Sequence, residues 1–376
     1  MLRVAVGLVV AAVVGTATAG TSTGAGTSSS CAATSRGELM TIIHRVYDQA
    51  LNGQQEVSAV RRVRSSSALA SAVASGRPAA VRAALRPLMK NQIERIRISK
   101  GNTMLAGLGQ EPAYGPVSGS IRLHGRVVGK FVLTVATDAA FVAEIQNLSG
   151  ATIRFGQGGR AGQSFPATKF PSGQTAVVVS LPTPPSSVCG ATASDTQLKT
   201  VAFVARKVMT SESHSGAVTK TLQYVEGSAP FVSAVASGDP AAVKAAIDNF
   251  FRNSQFHIVR VRAWKGNQLV NDVGGPFVLS PAAGVLRDSS GAVVGHFLVA
   301  VQDDLGFIKL VHGFTGADVV LHTTAGTVPG GTLIPGPAFK PGLTTTTFNG
   351  RRYRSFGFTG TTFPTGTLQV SVLEPQ

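Results

Sequence analysis

Three residues with side chains suited to anion binding alternate along one short segment. Arg260, Arg262 and Trp264 occupy every second position there. Successive strand residues point to opposite faces, so these three are expected to share one face of a β-strand. An arginine fork matches a carboxylate bidentately, and a neighbouring tryptophan adds an apolar wall. We interpret them as candidate ligand-binding residues. The alternative is a solvated basic face on a half-exposed sheet.

A second segment of the same type contains Arg95, Arg97 and Ser99 and is part of an internal repeat. Residues 71–85 read SAVASGRPAAVRAAL, and residues 233–247 read SAVASGDPAAVKAAI. Twelve of the fifteen positions are identical, at an offset of 162. Similar short matches lie on either side, which predicts two copies of one domain-sized module rather than a solenoid.

The next candidate groups are His296, Asp303 and Asp304, at and just beyond the most apolar strand of the second copy. A carboxylate at that point can supply an acid to a ligand site. It can equally cap the helix that is expected to follow.

No catalytic constellation is found. The chain has no phosphate loop, H-E-x-x-H or C-x-x-C sequence, so we expect a protein that is not an enzyme. An enzyme of unrecognised class is the alternative. His296, His312 and His322 could approach one another, but surface or core histidines are the expected interpretation, and no metal or cofactor is predicted.

The positive charge is shared unequally between the two copies. Residues 31–182 hold 18 Lys/Arg and 7 Asp/Glu, a net +11, whereas residues 189–376 hold 15 and 11, a net +4. Such a surface favours anionic lipid or an anionic envelope polymer as a partner, or it simply keeps the protein soluble. No aromatic-basic stacking run indicates nucleic acid.

The first nineteen residues are typical of a secretory signal peptide, with Arg3 before an apolar run and Ala17-Thr18-Ala19 as the cleavage site. An uncleaved membrane anchor is the alternative. Residues 20–30 are small and polar and are predicted to form a disordered tether. We therefore expect an extracytoplasmic, secreted protein.

The periodicity predicts the same element order in both copies: long helix, short helix, three strands, a helix and two last strands. Helix starts are predicted at the capping boxes Ser35/Glu38 and Ser194/Gln197. Pro78 and Pro240 are expected at the first position of the short helices. Each copy, 31–182 and 189–376, is long enough to close its own core. This order predicts an α+β fold, with antiparallel sheet and helices gathered on one side.

On this element order, the long leading helix and the exported context, the chain resembles tandem Cache domains, the extracytoplasmic PAS-like sensor modules of bacterial receptors. The resemblance implies a small-molecule ligand and a separate membrane receptor as partner. Arg262-Ala263-Trp264 is similar to the Arg-x-Trp core of amino-acid-binding Cache domains, with Asp303 or Asp304 as the acid. Lys265 stands where that signature has tyrosine.

The copies differ in length before their last strand. Copy two (189–376) carries about 27 extra residues between Gly316-Ala317 and Phe363-Pro364 that have no counterpart in copy one (31–182). In Cache-like folds the loops of this region cover the ligand pocket. The resemblance therefore implies that copy two is the complete binder and that copy one is a trimmed partner.

The two cysteines of the chain, Cys31 and Cys189, stand at matching positions at the head of each long helix. Equivalent residues of two copies can touch only near a pseudo-two-fold axis. We therefore hypothesise a Cys31–Cys189 disulfide in an oxidising compartment. Lipidation of Cys31 and two free thiols are the alternatives.

Two functions follow as hypotheses. The first is a non-catalytic, sensor-type protein that binds a small, anionic solute, such as a carboxylate, in copy two. The second is a structural protein that attaches to anionic polymer or lipid through basic copy one.

Overall fold

The computed structural model describes residues 25–89, 93–109, 114–135, 138–156, 163–253, 256–275, 278–323, 326–328 and 330–376. The predicted signal peptide, residues 1–19, lies outside the described residues, as do residues 20–24 of the predicted tether.

Copy one is built from five helices and seven strands in its described part. The helices are α1 (Ala25–Asn52), α2 (Gln54–Ser65), α3 (Ser67–Ser75), α4 (Pro78–Met89) and α5 (Asp138–Ser149). The strands are β1 (Arg95–Lys100), β2 (Thr103–Gly109), β3 (Val117–Leu123), β4 (Arg126–Thr134), β5 (Thr152–Gly156), β6 (Ser164–Lys169) and β7 (Gly173–Ser180).

Copy two repeats the series with additions, after a short 3-10 turn at Ser186–Val188. Its helices are α6 (Ala193–His214), α7 (Gly216–Glu226), α8 (Ala229–Ser237), α9 (Pro240–Arg252) and α10 (Asp304–Thr315). Its strands are β8 (Arg260–Lys265), β9 (Gln268–Gly274), β10 (Val278–Leu279), β11 (Ala282–Arg287), β12 (Val293–Ala300), β13 (Gln302–Asp303), β14 (Asp318–Thr323), β15 (Gly326–Thr327), β16 (Gly342–Phe348), β17 (Arg351–Thr362) and β18 (Gly366–Pro375). The predicted α+β class is confirmed, since all strand pairs are antiparallel.

Both predicted capping boxes are wrong. Helix α1 begins at Ala25, so Ser35 and Glu38 are inside it, and residues 25–30 of the predicted tether are helical. Ser35 is buried, and its hydroxyl accepts a hydrogen bond from Thr200 Oγ1 at 3.0 Å. Helix α6 is capped two residues earlier than predicted, by a reciprocal box between Thr192 and Asp195. Threonine and aspartate satisfy the first backbone amides of α6 as well as the predicted serine and glutamine would.

The repeated phrase folds as its residues predict. Gly76 and Gly238 end α3 and α8 with φ of +69° and +77°, a left-handed conformation that glycine adopts without a Cβ clash. Pro78 and Pro240 are the first residues of α4 and α9. Asp239 caps α9 by accepting a 2.9 Å hydrogen bond from the Ala241 amide.

Each copy has a four-stranded sheet backed by helices. The strand orders are β2-β1-β4-β3 in copy one and β11-β12-β8-β9 in copy two. Helices α2, α3 and α4 contact one face of the first sheet, and α7, α8 and α9 contact one face of the second. Phe131 and Ile98 are buried in the first of these cores, and Phe231 and Phe297 in the second.

Each copy also contributes a second sheet. In copy one it is β5-β7-β6, with β6 absent from the sequence prediction. In copy two it is the larger sheet β13-β10-β17-β18-β14-β15, with β16 on β17. The extra residues of copy two therefore extend a sheet with the β16–β17 hairpin. The β16–β17 part is therefore strand where the Cache resemblance implied a loop over the ligand pocket, whereas residues 330–341 lie outside the strands and helices.

The second sheets and the leading helices share a further core between the copies, in addition to the core that each copy closes behind its four-stranded sheet. Helix α1 packs against α6 and against α10 of the other copy, and α6 packs reciprocally against α5. Ile42 of α1 and Val201 of α6 are fully buried there, with Val177 and Val370 from the sheets. The structure joins Cys31 and Cys189 by a disulfide, with their Cα atoms 5.5 Å apart. This reciprocal contact is what a pseudo-two-fold arrangement requires.

Candidate functional site

The three candidate residues of copy two lie on one face of β8. Val261 and Ala263 are buried against the helices, whereas Arg260, Arg262 and Trp264 are half-buried on the opposite face. The predicted alternation is therefore present, on the outer face of a sheet whose inner face is the core.

Both arginines of this face are held by one carboxylate, which the sequence analysis missed. Asp272 of β9 receives two hydrogen bonds from Arg260, Nε to Oδ1 and Nη2 to Oδ2, each at 2.8 Å. Arg262 Nε lies 3.3 Å from Asp272 Oδ2, an ion-pair distance without hydrogen-bond geometry. The β8–β9 register places Asp272 directly opposite Arg262. Arg260 is thus paired with a carboxylate, and Arg262 shares the same carboxylate at ion-pair distance.

Trp264 and His296 are neighbours across β8 and β12. Their rings stack in parallel, with centroids 4.9 Å apart and planes 10° apart. The Arg262 guanidinium lies 5.4 Å from the Trp264 ring centroid. Together they form a short cation–aromatic row on the surface rather than a pocket wall.

The first arginine of each pair connects the two sheets of its copy. Arg260 lies over the Phe363 ring at 4.8 Å, and Arg95 lies over the Phe170 ring at 4.2 Å. Burial, followed by the charge of Arg97, lowers the pKa of Arg95. Both phenylalanines belong to the repeated Phe-Pro turn. Arg260 and Arg95 are therefore contacts between the two sheets of one copy, and Arg260 is a poor candidate for the ligand role.

The two aspartates do not join this face. Asp303 caps α10, accepting a 2.6 Å hydrogen bond from the Gly306 amide. Asp304 is buried in the first turn, and burial raises its pKa. Neither forms an ion pair with Arg262 in the described chain. The amino-acid site implied by the Cache resemblance is therefore not assembled, because the helix start uses Asp303.

Arg97 of copy one has different surroundings from Arg262. The residue opposite it on β2 is Gly107, which has no side chain to offer. Ser99 lies opposite Lys130 on β4, where copy two has Trp264 opposite His296.

A cavity of about 620 Å³ lies in copy one between the α1–α2 junction and strand β3. Its apolar lining comes from Leu51, Val57, Val60 and Val117. The polar lining includes Glu56, Arg61 and Arg64. The cavity is open to solvent, since Val57, Arg61 and Arg64 of its lining are exposed, and its volume is within the range of small-molecule sites.

Glu56 is an unusual member of this lining. It is 2% exposed, and neither carboxylate oxygen has a hydrogen-bond partner. Burial raises its pKa from 4.5 to about 8. Counting back from the repeated phrase at an offset of 162, Glu56 corresponds to Val218, a core residue of copy two. Copy one thus keeps a carboxyl group where copy two has an ordinary apolar contact.

A second cavity, of about 370 Å³, lies in copy two between the end of α6 and β17. It is lined by Arg206, Thr210, His214 and the hydroxyls of Thr359 and Thr361, among others. Arg206 lies 4.9 Å from the Phe358 ring centroid. This cavity is the more polar of the two.

The histidines near the last strands of copy two are used structurally. His312 Nδ1 is 2.9 Å from the Ala317 carbonyl oxygen, and His322 Nε2 is 3.0 Å from that of Pro337. In the part of the chain that the structure describes, no group of three or more His, Cys, Asp or Glu could hold a metal ion. Within the same residues, no helix combines the length and apolarity needed to cross a membrane.

Comparisons with known proteins add little to this picture. No family model matches the sequence, and no characterised protein sequence matches it. An extracellular ligand binding receptor from Desulfohalobium retbaense DSM5692 is similar at 11% identity, over 42% of this chain and 39% of that chain, with a TM-score of 0.22. The match spans less than half of that receptor, and a TM-score at this level does not establish a common fold.

Proposed function

We propose that the protein is a non-catalytic ligand-binding protein that takes a small organic solute into the cavity of copy one. The observation that carries the proposal is the cavity itself. Its volume of about 620 Å³ is in the range of small-molecule sites, and its walls are apolar with a few charged groups.

The charged groups indicate the kind of solute. Arg61 and Arg64 line the cavity and are exposed, so their guanidinium groups are accessible to an entering carboxylate. Leu51, Val57 and Val60 supply the apolar contact area. A small organic acid with an apolar body fits this lining. This ligand class agrees with the anionic solute expected from the sequence.

The placement differs from the sequence-based prediction of a ligand in copy two. Asp272 offsets one of the two arginine charges of the Arg262 face, and this face does not line the cavity of copy one. With a secretory leader, such a protein is a sensor-type component outside the cytoplasm that reports to a separate membrane partner.

The proposal is tested by a thermal-shift screen of organic acids on the purified mature protein. A ligand specific to the folded state raises the melting temperature, by an amount that grows with its concentration over Kd. Val60→Phe reduces the cavity of copy one, and Thr359→Phe reduces the cavity of copy two. We expect the first change to abolish the thermal shift and the second to preserve it.

Circular dichroism of both variants checks that they remain folded. Loss of the shift in Thr359→Phe alone would place the ligand in copy two. Arg64→Gln provides a finer test, because it removes a charge but little volume. It should weaken binding of an organic acid about tenfold and leave binding of its neutral amide unchanged.

A further inference from the structure

The outer face of the first sheet of copy one carries a row of cations and hydroxyls. The buried neighbours Ile96 and Ile98 point to the helices, so Arg97 and Ser99 point outward. Lys130 is exposed beside Ser99, and Ser118 and Ser120 of β3 continue the row.

This sheet has no acidic residue in any of its four strands. Its basic residues are Arg95, Arg97, Lys100, Arg122, Arg126 and Lys130. The matching sheet of copy two contains one acid, Asp272, and that carboxylate faces both arginines of β8. The strands of the first sheet carry a net +6 and those of the matching sheet a net +3, so this sheet accounts for three of the seven charges by which the copies differ.

Single substitutions at equivalent positions account for the different character of the two faces. Gly107 is opposite Arg97, where Asp272 is opposite Arg262. Lys130 is opposite Ser99, where His296 stacks on Trp264. Copy two thus halves the charge of its arginine pair with Asp272 and places aromatic rings beside it, whereas copy one presents charge and hydroxyl groups.

We propose that this outer face of copy one binds an acidic polysaccharide through the carboxylates of the polymer. Arginine pairs with carboxylate in a planar fork, and the serine hydroxyls on the same face can hydrogen-bond to sugar hydroxyls. Four strands spaced about 4.8 Å apart span roughly 14 Å, enough for several sugar units of an extended chain. The face also carries apolar side chains, since the exposed Met104 is opposite Ser99 and Val132 is opposite Arg97, so a lipid surface is tested beside the polymer.

The experiment exchanges the two equivalent positions in the full mature protein. Binding to immobilised polygalacturonate is measured for the wild type, Gly107→Asp and Gly107→Ala, with neutral dextran as the blank matrix. The Gly107 position has a negative φ, and a Cβ there meets only the Ile96 carbonyl at 3.7 Å, so both variants are sterically tolerated. We expect Gly107→Asp to weaken binding roughly tenfold and Gly107→Ala to leave it within about twofold.

The reciprocal change, Asp272→Asn, is expected to strengthen retention, because it releases the charges of Arg260 and Arg262. Arg97→Gln and Lys130→Gln should each weaken it, and wild-type retention should fall steeply with salt. Equal binding by Gly107→Asp and Gly107→Ala, with Arg97→Gln unchanged, would overturn the proposal. Tighter binding to anionic phospholipid vesicles than to polygalacturonate would also overturn it.

Discussion

Glu56 is the residue whose environment departs furthest from ordinary packing. A buried carboxyl group without a partner is costly, and the matching position of copy two has valine. With its pKa raised to about 8, the group is uncharged in the folded protein at neutral pH. In the unfolded chain the same group ionises near its ordinary 4.5.

This difference predicts a pH dependence of stability with a definite sign. Between pH 4.5 and about 8 the folded state holds a proton that the unfolded state has released, so the free energy of unfolding falls as pH rises. Above pH 8 the loss is constant. Glu56→Val should remove this loss and raise stability at pH 8 by about 3–5 kcal/mol. Urea unfolding of both proteins at pH 5 and pH 8 measures it.

Val218→Ala in copy two is the matched control for a change at the equivalent site, and it should destabilise equally at both pH values. The difference in free energy of unfolding between Glu56→Val and the wild type should grow from pH 5 to pH 8. An equal difference at both pH values would contradict the raised pKa of Glu56.

At this scale the sequence predicted which side chains face outward but not which ones pair. The alternation of Arg260, Arg262 and Trp264 follows from strand periodicity alone. The Asp272 contact depends on register, and the register shifts by a bulge between Ala263 and Trp264. The sequence of one strand does not show such a shift in its pairing with the next strand. The carboxylate that pairs with Arg260 and Arg262 could therefore not be identified among the acids of the chain.

Among the elements, helices were predicted more accurately than their caps. The repeated phrase fixes α3, α4, α8 and α9 through glycine and proline, whose backbone preferences are local. The start of α1 was misplaced because the small polar residues 25–30 were interpreted as a tether, whereas they are helical and Ser35, inside the helix, accepts a hydrogen bond from Thr200. The β16–β17 hairpin was missed because β16 is a run of four threonines, Thr344–Thr347, without an apolar alternation, in a segment that was interpreted as a loop.

Asp303 provides a prediction at the scale of one helix. As the N-cap of α10, it accepts a hydrogen bond from the Gly306 amide. Asp303→Ala should lower the free energy of unfolding by about 1 kcal/mol and leave the binding of organic acids unchanged. Chemical denaturation and the thermal-shift assay measure the two effects separately. Loss of binding without loss of stability would instead support the ligand role implied by the Cache resemblance.

For the whole molecule, the duplication was predictable and the shared core was not. A repeat in sequence shows that two modules have the same fold, but their contact is made by apolar helix faces that could equally pack within one copy. In the structure these faces pack between the copies, because Ile42 of α1 and Val201 of α6 are buried in one cluster.

The disulfide between the two copies is predicted to stabilise the whole molecule. Cys31 and Cys189 are 158 residues apart in sequence, so their bond closes a long loop of the unfolded chain. In the chain-entropy model such a loop contributes about 4–5 kcal/mol. The double variant Cys31→Ser/Cys189→Ser should therefore melt at a lower temperature than the wild type. Added reductant should lower the melting temperature of the wild type alone. Two reactive thiols in the denatured, unreduced wild type would contradict the bond.

The covalent fusion of two similar modules around one core has an evolutionary consequence. In a homodimer every substitution occurs twice, once in each subunit, and both faces must change together. Here each mutation falls in one half only, because a single gene encodes both halves. The two equivalent positions could therefore hold different residues, Gly107 in copy one and Asp272 in copy two. Likewise, one half could have the β16–β17 hairpin and the other could be without it. The asymmetry between the two faces is a freedom that duplication followed by fusion makes available.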